Sequence, residues 1–570
     1  MLPAYWIVTP GDAASGPVCR AAVRTAIRGT LRAVDNPRIA DRLDAFASLL
    51  ELADANSYTV RAYRRAAETI RAAAVPVAEL VRAGRVRELR GIGPGIEARL
   101  RELVETGEIA ELAELERELA PGLVGLGRYL GLGARRSVEI ARALDVRTPD
   151  ELREAAAAGR LRSVPGIGPK TEARILEALA REAEPRPERG LLLNRAWELV
   201  EGVATALDGE AAGDVRRWRD SCQLLAVVCA ARDPGPVLAR FASLPQIVAL
   251  VEQGERRAVG VTVEGVPIQL VAAEPERVGT TLMRATGSLG YVAALEPLPD
   301  APDEPAVYDA LGLAWCPPEL REEPFRGEPP ALVEPDEIRG DLHCHTTWSD
   351  GRASVEEMAR AARERGYEYV AICDHTPAVG AVRGLTADDV RRQAEEIAAA
   401  NELLAPFRVL RGIECDILAD GRLDLPDDVL AELDWVQASV HGGQRMPRRE
   451  LTERVEKALR NPYVRCLSHP TGRLINRRPE NALDLQRVFE VALEAGVALE
   501  VNGLPDRLDL RGEHVHDALR AGVQIVCSTD AHSVRGLGNM ALSVRTARRG
   551  WATPEHVANT RPLRSIVDGR

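Results

Sequence analysis

The stretch Asp341-Leu-His-Cys-His-Thr-Thr-Trp-Ser-Asp350 sets His343 and His345 one residue apart at the end of a short apolar run. In a strand, alternation puts both imidazoles on one face, the geometry of two ligands to one ion. Such a pair alone is more often two surface histidines in a polar turn. Position separates the two: no histidine precedes His343 in the 570 residues, and most later ones close an apolar run.

Outward from this stretch, short apolar runs alternate with amphipathic helical patterns. Strands are expected near 340–344, 368–373, 408–414, 434–440, 464–468, 497–501 and 523–528. Helices are expected near 354–365, 387–403, 427–433, 450–460, 483–495 and 513–521. Seven such repeats predict a parallel sheet that closes into a distorted (β/α)7 barrel. The runs end on His343 and His345 with Asp350 beyond them, His375, Glu414, His441, His469, and Asp530 with His532. The sixth, leading to Asn502, is expected to supply none. Strand C-terminal ends meet at one mouth of such a barrel, so nine N and O donors converge there. Nine donors exceed the need of one ion and suit two or three divalent metals, Mn²⁺ first, with Zn²⁺ or Fe²⁺ as alternatives. His514, His516 and His556 lie off the strand ends and read as surface residues.

The front of the chain carries a different signal. Leu89-Arg-Gly-Ile-Gly-Pro-Gly-Ile96 has a near copy in Val164-Pro-Gly-Ile-Gly-Pro-Lys-Thr171, with a weaker third candidate at Gly131-Leu-Gly133. Each sits between helical patterns, as helix-hairpin-helix elements do. Gly91, Gly93, Gly95, Gly166 and Gly168 allow a hairpin whose backbone N–H groups approach a DNA phosphate, and Lys170 is placed to join them. Nine arginines stand against four glutamates between residues 60 and 100, a local basic surface in a chain of net charge −12. Helical periodicity begins near residue 36 with Ile39, Leu43, Phe46, Leu49, Leu50 and Leu52. Arginines 20, 24, 28 and 32 line one helical face of an extension, 1–35, that lacks the apolar run of a secretory signal.

No apolar stretch is long enough to cross a membrane, and nine cysteines without a CxxC pair fit a reducing cytoplasm. Pro- and Glu-rich linkers fall at 183–190 and 322–338. The expected domains are helical segments over 36–115 and 116–185, an α+β domain over 190–321, and the barrel over 339–570.

Helix-hairpin-helix pairs, the turn Gly213-Asp-Val-Arg-Arg217 before a strand, Thr286-Gly-Ser288, and the tail from Leu311 to Arg321 resemble the bacterial family X DNA polymerases that carry a C-terminal PHP domain. The resemblance covers about 36–570. It implies a nucleotidyltransferase-like palm and thumb over 190–321, whose carboxylates would align with Leu224, Ala226 and Gln269. None of these can replace a metal-binding aspartate, and Asp214 stands where the turn's serine is expected, so loss of polymerisation is expected. Asp220 is a spare carboxylate, and with no lysine before Lys170 no Schiff-base lyase is expected.

The barrel resembles PHP phosphoesterases. That resemblance implies one metal on His343, His345, Glu414 and Asp530, a second on Glu414, His441 and His469, and a third on Asp350, His375 and His532. Arg473 and Arg507 are candidates for gripping phosphate, and either serves equally as a salt-bridge partner. Asp341 and Asp374 are candidates for orienting the ligand imidazoles. The expected function is a DNA-binding phosphodiesterase, a 3′-5′ exonuclease or a 3′-end and abasic-site processing enzyme of DNA repair. It would act as a monomer on gapped, recessed or damaged DNA ends. A repair polymerase with exonuclease, a histidinol-phosphatase-like enzyme and a non-enzymatic DNA scaffold are the alternatives.

Overall fold

The computed structural model describes residues 36–52, 56–73, 75–112 and 190–567, with scattered positions between 143 and 172. The extension 1–35, Gly131–Gly133, Gly166 and Lys170 lie outside the described residues. Two compact units divide the chain: 1–189 with 205–208 and 231–272, and 190–204 with 209–230 and 273–570. The segment expected as one palm and thumb domain, 190–321, is thus shared between them.

In the first unit, α1 (Asn36–Leu52) and α2 (Ser57–Ala72) pack through Ile39, Leu43, Phe46, Tyr63, Ala67 and Ile70. The Phe46 and Tyr63 rings meet edge-on at 4.9 Å. The Asn36 side chain donates to Ala73 O and accepts from Val77 N at 2.7 Å, tying the first helix to the start of α3 (Val77–Arg82). The chain then turns at Gly91, whose φ of +86° is left-handed and costs a glycine nothing. It enters α4 (Pro94–Thr106) with Gly93 as N-cap and Pro94 at the first helical position, where its missing N–H is harmless. Ile92 and Ile96 are buried beneath the hairpin. Strands Ile247–Gln253, Arg257–Thr262 and Pro267–Ala273 form an antiparallel meander whose Val248 and Val261 complete this core.

In the second unit, seven parallel strands run β1 (Gly340–Cys344), β2 (Tyr369–Ile372), β3 (Arg408–Asp416), β4 (Trp435–Ser439), β5 (Cys466–Leu467), β6 (Ala498–Asn502) and β7 (Ile525–Ser528). Their order in the sheet is their order in the chain. A bridge from Cys344 to Ala531, with His345 N–H donating to Ala531 O at 2.8 Å, brings the two edges together into a nearly closed barrel. Every observed strand end lies within two residues of expectation, because apolar runs bounded by turn residues are all a buried parallel strand requires. Leu342, Ala371, Leu410, Trp435, Cys466, Ala498 and Val526, one from each strand, pack in one cluster. The intervening helices start where capping residues dictate: Ser354 and Glu357 form a capping box, as do Thr386 and Asp389.

The same unit holds two small strand pairs, Leu191–Leu192 with Ser221–Cys222 and Glu210–Gly213 with Leu225–Ala230. No helix among the described residues is long and apolar enough to cross a membrane.

Candidate metal centre

Strand alternation builds the site. On β3 the face that turns Leu410 inward also presents Glu414 at the mouth, and four loops and strand ends bring histidines to it. Glu414 lies 3.5 Å from His343, 3.7 Å from His345, 2.9 Å from His375, 3.4 Å from His441 and 2.8 Å from His469. Asp530 Oδ1 is 3.1 Å from His345 Nε2. Asp350 is 3.6 Å from His375 and 3.2 Å from His532. All nine sequence-predicted ligands therefore occupy one pocket. Glu414, His343 and His345 are fully buried, whereas Asp350 and His532 are 27% and 34% exposed in their side chains, so the centre opens on that side.

The donor atoms group as His343, His345 and Asp530; His345, Asp350, His375 and His532; and His375, Glu414 and His441. This differs from the expected partition: His345 and His375 each reach two groups. His469 stands apart from all three but contacts Glu414. Backbone strain marks two of the nine candidates, with φ of +27° at His469 and +51° at Asp530, a conformation non-glycine residues hold only where surroundings enforce it.

Several donors face each other without satisfying one another. His343 Nε2 and His345 Nε2 stand 3.1 Å apart, close to the roughly 3.3 Å that two imidazole nitrogens span on one tetrahedral ion. Glu414 Oε2 and His375 Nδ1 lie 2.9 Å apart as an ion pair without hydrogen-bond alignment, and His345 Nδ1 and His469 Nδ1 have no hydrogen-bond partner among the described residues. Buried acceptors left open in this way fit divalent cations.

The charges interlock. Burial opposes ionisation of Glu414, yet His441, His375 and His343 hold its carboxyl well below the usual range. Burial together with His375 and His532 depresses His345 to about 3. Burial likewise works against a charged His532, but the Asp350 and Asp530 carboxylates prevail and raise it to about 9.

Two carboxylates that sequence reasoning missed orient the imidazoles. Glu500, on the strand expected to supply nothing, lies 2.6 Å from His343 Nδ1 and accepts from Ser468, Ser528 and His469 N. Asp416 lies 3.2 Å from His441 Nδ1. A charged residue inside the apolar run Val497–Asn502 was the available signal, since buried carboxylates are almost always paired. Asp341 and Asp374 do not take the expected role. Asp341 accepts from Thr529 and His343 backbone N–H, and Asp374 from Thr346, Ser349 and Gln393, so both brace loops instead. Glu500→Gln is expected to weaken divalent-metal binding about 10- to 100-fold, the usual cost of losing such an outer support, as read by calorimetric titration of the metal.

The remaining candidates fall outside the metal cluster. Arg507 approaches Asp530 at 3.8 Å, and its buried Nη1 has no hydrogen-bond partner among the described residues. Arg473 instead donates to Asp220 Oδ2 at 2.6 Å and to the carbonyls of Arg507 and Leu508. Asp220 is therefore spoken for. His514 is half-buried and lies 2.9 Å from Glu480, while His516 and His556 are also half-buried, so none is the plain surface residue expected. Around Gly91, Gly93, Gly95 and Gly168 an added Cβ would meet nothing within 4 Å, leaving an open backbone surface. Distant Glu264 pairs with Arg90 at 3.1 Å and trims the basic excess, while Arg61, Arg65 and Arg82 remain exposed.

At the aligned palm positions, Leu224 is half-buried and Ala226 buried. Gln269 is buried with neither amide atom hydrogen-bonded among the described residues. Asp214 accepts from Arg217 and from the N–H groups of Gln223 and Leu224.

A parallel barrel with this donor set defines a metal-dependent phosphoesterase, and residues 341–503 match the PHP domain. Residues 34–109 match a helix-hairpin-helix domain and 130–181 a SAM-like helix-hairpin-helix tandem. The chain is 35% identical to the DNA polymerase/3′-5′ exonuclease PolX of Bacillus subtilis over 92% of its own length and 97% of that protein. It belongs to this PolX family. A probable phosphatase of Acetivibrio thermocellus is 33% identical over 34% of this chain and 78% of its own. One of Thermoanaerobacter pseudethanolicus is 28% identical over 39% of this chain and 89% of its own. The chain is a DNA-binding member of a DNA-processing family with a phosphoesterase domain.

Proposed function

We propose that this protein trims DNA 3′ ends in repair, as a 3′-5′ exonuclease or a processor of blocked and abasic ends, and that it does not polymerise. The carrying observation is the contrast within one chain: nine converging donors at the barrel mouth against Leu224, Ala226 and Gln269 at the aligned palm positions. The two helix-hairpin-helix segments would hold the backbone through Gly91, Gly93, Gly95, Gly166, Gly168 and Lys170 without reading sequence.

His343, His345, Asp350, His375, Glu414, His441, His469, Asp530 and His532 would hold two or three divalent ions, with Mn²⁺ favoured by the mixed imidazole and carboxylate set. Bound there, such ions polarise a phosphodiester and lower the pKa of an attacking water. The chain's own part is positional. Glu500 and Asp416 fix the His343 and His441 rings so that Nε2 faces the pocket. Arg507 holds an unpaired guanidinium N–H group beside Asp530, suited to a non-bridging phosphate oxygen. In the palm-like segment, by contrast, the cations are consumed internally: Arg216 pairs with Glu304 at 2.8 Å, and Arg217 with Asp214 and Glu322. None of the eight described cysteines forms a disulfide and all are buried, in keeping with a reducing cytoplasm.

With Mn²⁺ and a 5′-labelled recessed duplex, the expected result is laddered shortening. Turnover of a small phosphomonoester with no change in the DNA would favour the phosphatase alternative, which the partial relatives bring to mind, and would overturn the proposal.

A further inference from the structure

Arg507, the proposed phosphate grip, belongs to a loop that does not stand alone. Three residues of the strand β5 loop fasten it: Ile475 N–H donates to Asp506 O at 2.7 Å, Thr471 N–H to Asp509 at 3.2 Å, and Arg473 Nε to Arg507 O at 2.8 Å. Arg473 also donates through Nη2 to Leu508 O at 2.5 Å. Leu508 itself sits at a φ of +43°, a strained left-handed conformation that the surrounding bonds must maintain. Arg473 is only 7% exposed, so its direction depends on what its remaining donors meet. They meet Asp220, 253 residues earlier in the chain, at 2.6 Å.

Asp220 is itself fixed. Its Oδ1 accepts from Ser221 N–H at 2.9 Å, and its carbonyl accepts from the N–H of Leu193, the residue directly after Leu192 in the small pair Leu191–Leu192 with Ser221–Cys222. That pair is held to the same barrel loop a second time, by Asn476 Nδ2 donating to Gly190 O at 2.8 Å. Burial opposes ionisation of Asp220, but Arg473, Arg549 and Arg219 hold it in the charged form.

We propose that Asp220, a residue of the palm-like segment, is a positioning residue for the barrel's phosphodiesterase: through Arg473 it fixes the 505–508 loop and so aims Arg507 at the scissile phosphate. The proposal rests on the phosphodiesterase reading above and on Arg507 as the phosphate grip. It also gives the palm-like segment a present use after loss of its carboxylates, as a brace for the remaining active centre. A charge-assisted, buried contact suits this work, because the planar Arg473 guanidinium donates to the Asp220 carboxylate and to two carbonyls at once, a geometry that a lysine ammonium at position 473 lacks and that a neutral residue at position 220 would hold less firmly.

The test is a double-mutant cycle on the full chain with Mn²⁺, reading kcat and KM on a 5′-labelled oligonucleotide together with bound metal and thermal stability. Asp220→Ala is expected to lower kcat/KM roughly tenfold, in line with loss of an outer support, with bound Mn²⁺ unchanged. Asp220→Asn, which keeps the shape and an acceptor, is expected to fall between the two and covers the case in which the alanine variant folds poorly. Arg507→Ala is expected to be slower still. In the Arg507→Ala background, Asp220→Ala is expected to add nothing, since the group it aims is gone. Full additivity of the two substitutions would overturn the positioning role, as would an inert Asp220→Ala beside a slow Arg507→Ala. An unaffected Arg507→Ala would remove the grip and the positioning role together. Loss of all DNA shortening by the unsubstituted chain would instead count against the phosphodiesterase reading.

Discussion

Glu414→Gln is expected to slow DNA hydrolysis about a thousandfold, corresponding to about 4 kcal/mol of lost transition-state stabilisation. Five histidines lie between 2.8 and 3.7 Å from its carboxylate, so no other side chain is shared so widely within the centre. Glutamine preserves the volume but removes the negative charge and presents an N–H₂ donor toward atoms that should face a cation. The buried Oε2 lies 2.9 Å from His375 Nδ1 and 3.5 Å from His343 Nε2, so an N–H₂ group in its place would face imidazole nitrogens. The measurement is the rate of 3′-end shortening at saturating Mn²⁺, alongside metal content. Activity retained within tenfold would contradict the assignment of Glu414 as a shared ligand.

Arg321→Ala is expected to cost about 3–5 kcal/mol of stability, the range for stripping one partner from a buried ion pair. Arg321 has no exposed surface. It pairs with Glu304 at 3.1 Å through Nη2, donates to Cys316 O at 2.8 Å, and lies over the Tyr308 and Trp315 rings. Without it the buried Glu304 keeps, among the described residues, the Arg216 ion pair at 2.8 Å. Burial alone would raise the Glu304 carboxyl, but Arg216 and Arg321 hold it below its ordinary 4.5. A depressed carboxyl adds stability that is complete above its unfolded pKa and disappears as pH falls through the folded value. Wild-type stability should therefore decline below about pH 4.5, and that acid sensitivity should shrink in Arg321→Ala. Urea unfolding at pH 7 and pH 4 reads both effects. A variant as stable as wild type at pH 7 would contradict the structural role given to this pair.

The barrel and the convergence of the nine candidate donors at its mouth were legible because both depend on short-range pattern. Apolar runs flanked by turn residues set the strands, and a polar residue closing each run falls at the mouth by topology alone. Glu500 was not legible in this way, since it lies within a run rather than at its end and serves a histidine on another strand. The expected roles of Asp341 and Asp374 failed for a related reason: adjacency in sequence to a ligand does not place a carboxylate near its ring, and hydroxyl and backbone donors from neighbouring loops claimed them. Arg473 showed both of its expected alternatives in the sequence, and only the fold brought Asp220 to it. The sharing of 190–321 between two units was likewise invisible, because the meander of 247–273 packs on the helices of the first unit through Val248 and Val261, residues unremarkable in sequence.

The central claim is that the barrel mouth is the only catalytic centre in the chain. It is tested most directly by incubating the Glu414→Gln protein with a 5′-labelled recessed duplex, all four deoxynucleotides and Mn²⁺, beside the unsubstituted chain. The unsubstituted chain should shorten the primer and Glu414→Gln should leave its length unchanged, with nucleotides present or absent. Lengthening of the primer by Glu414→Gln would contradict the claim, because it would reveal a working palm once the nuclease is silenced.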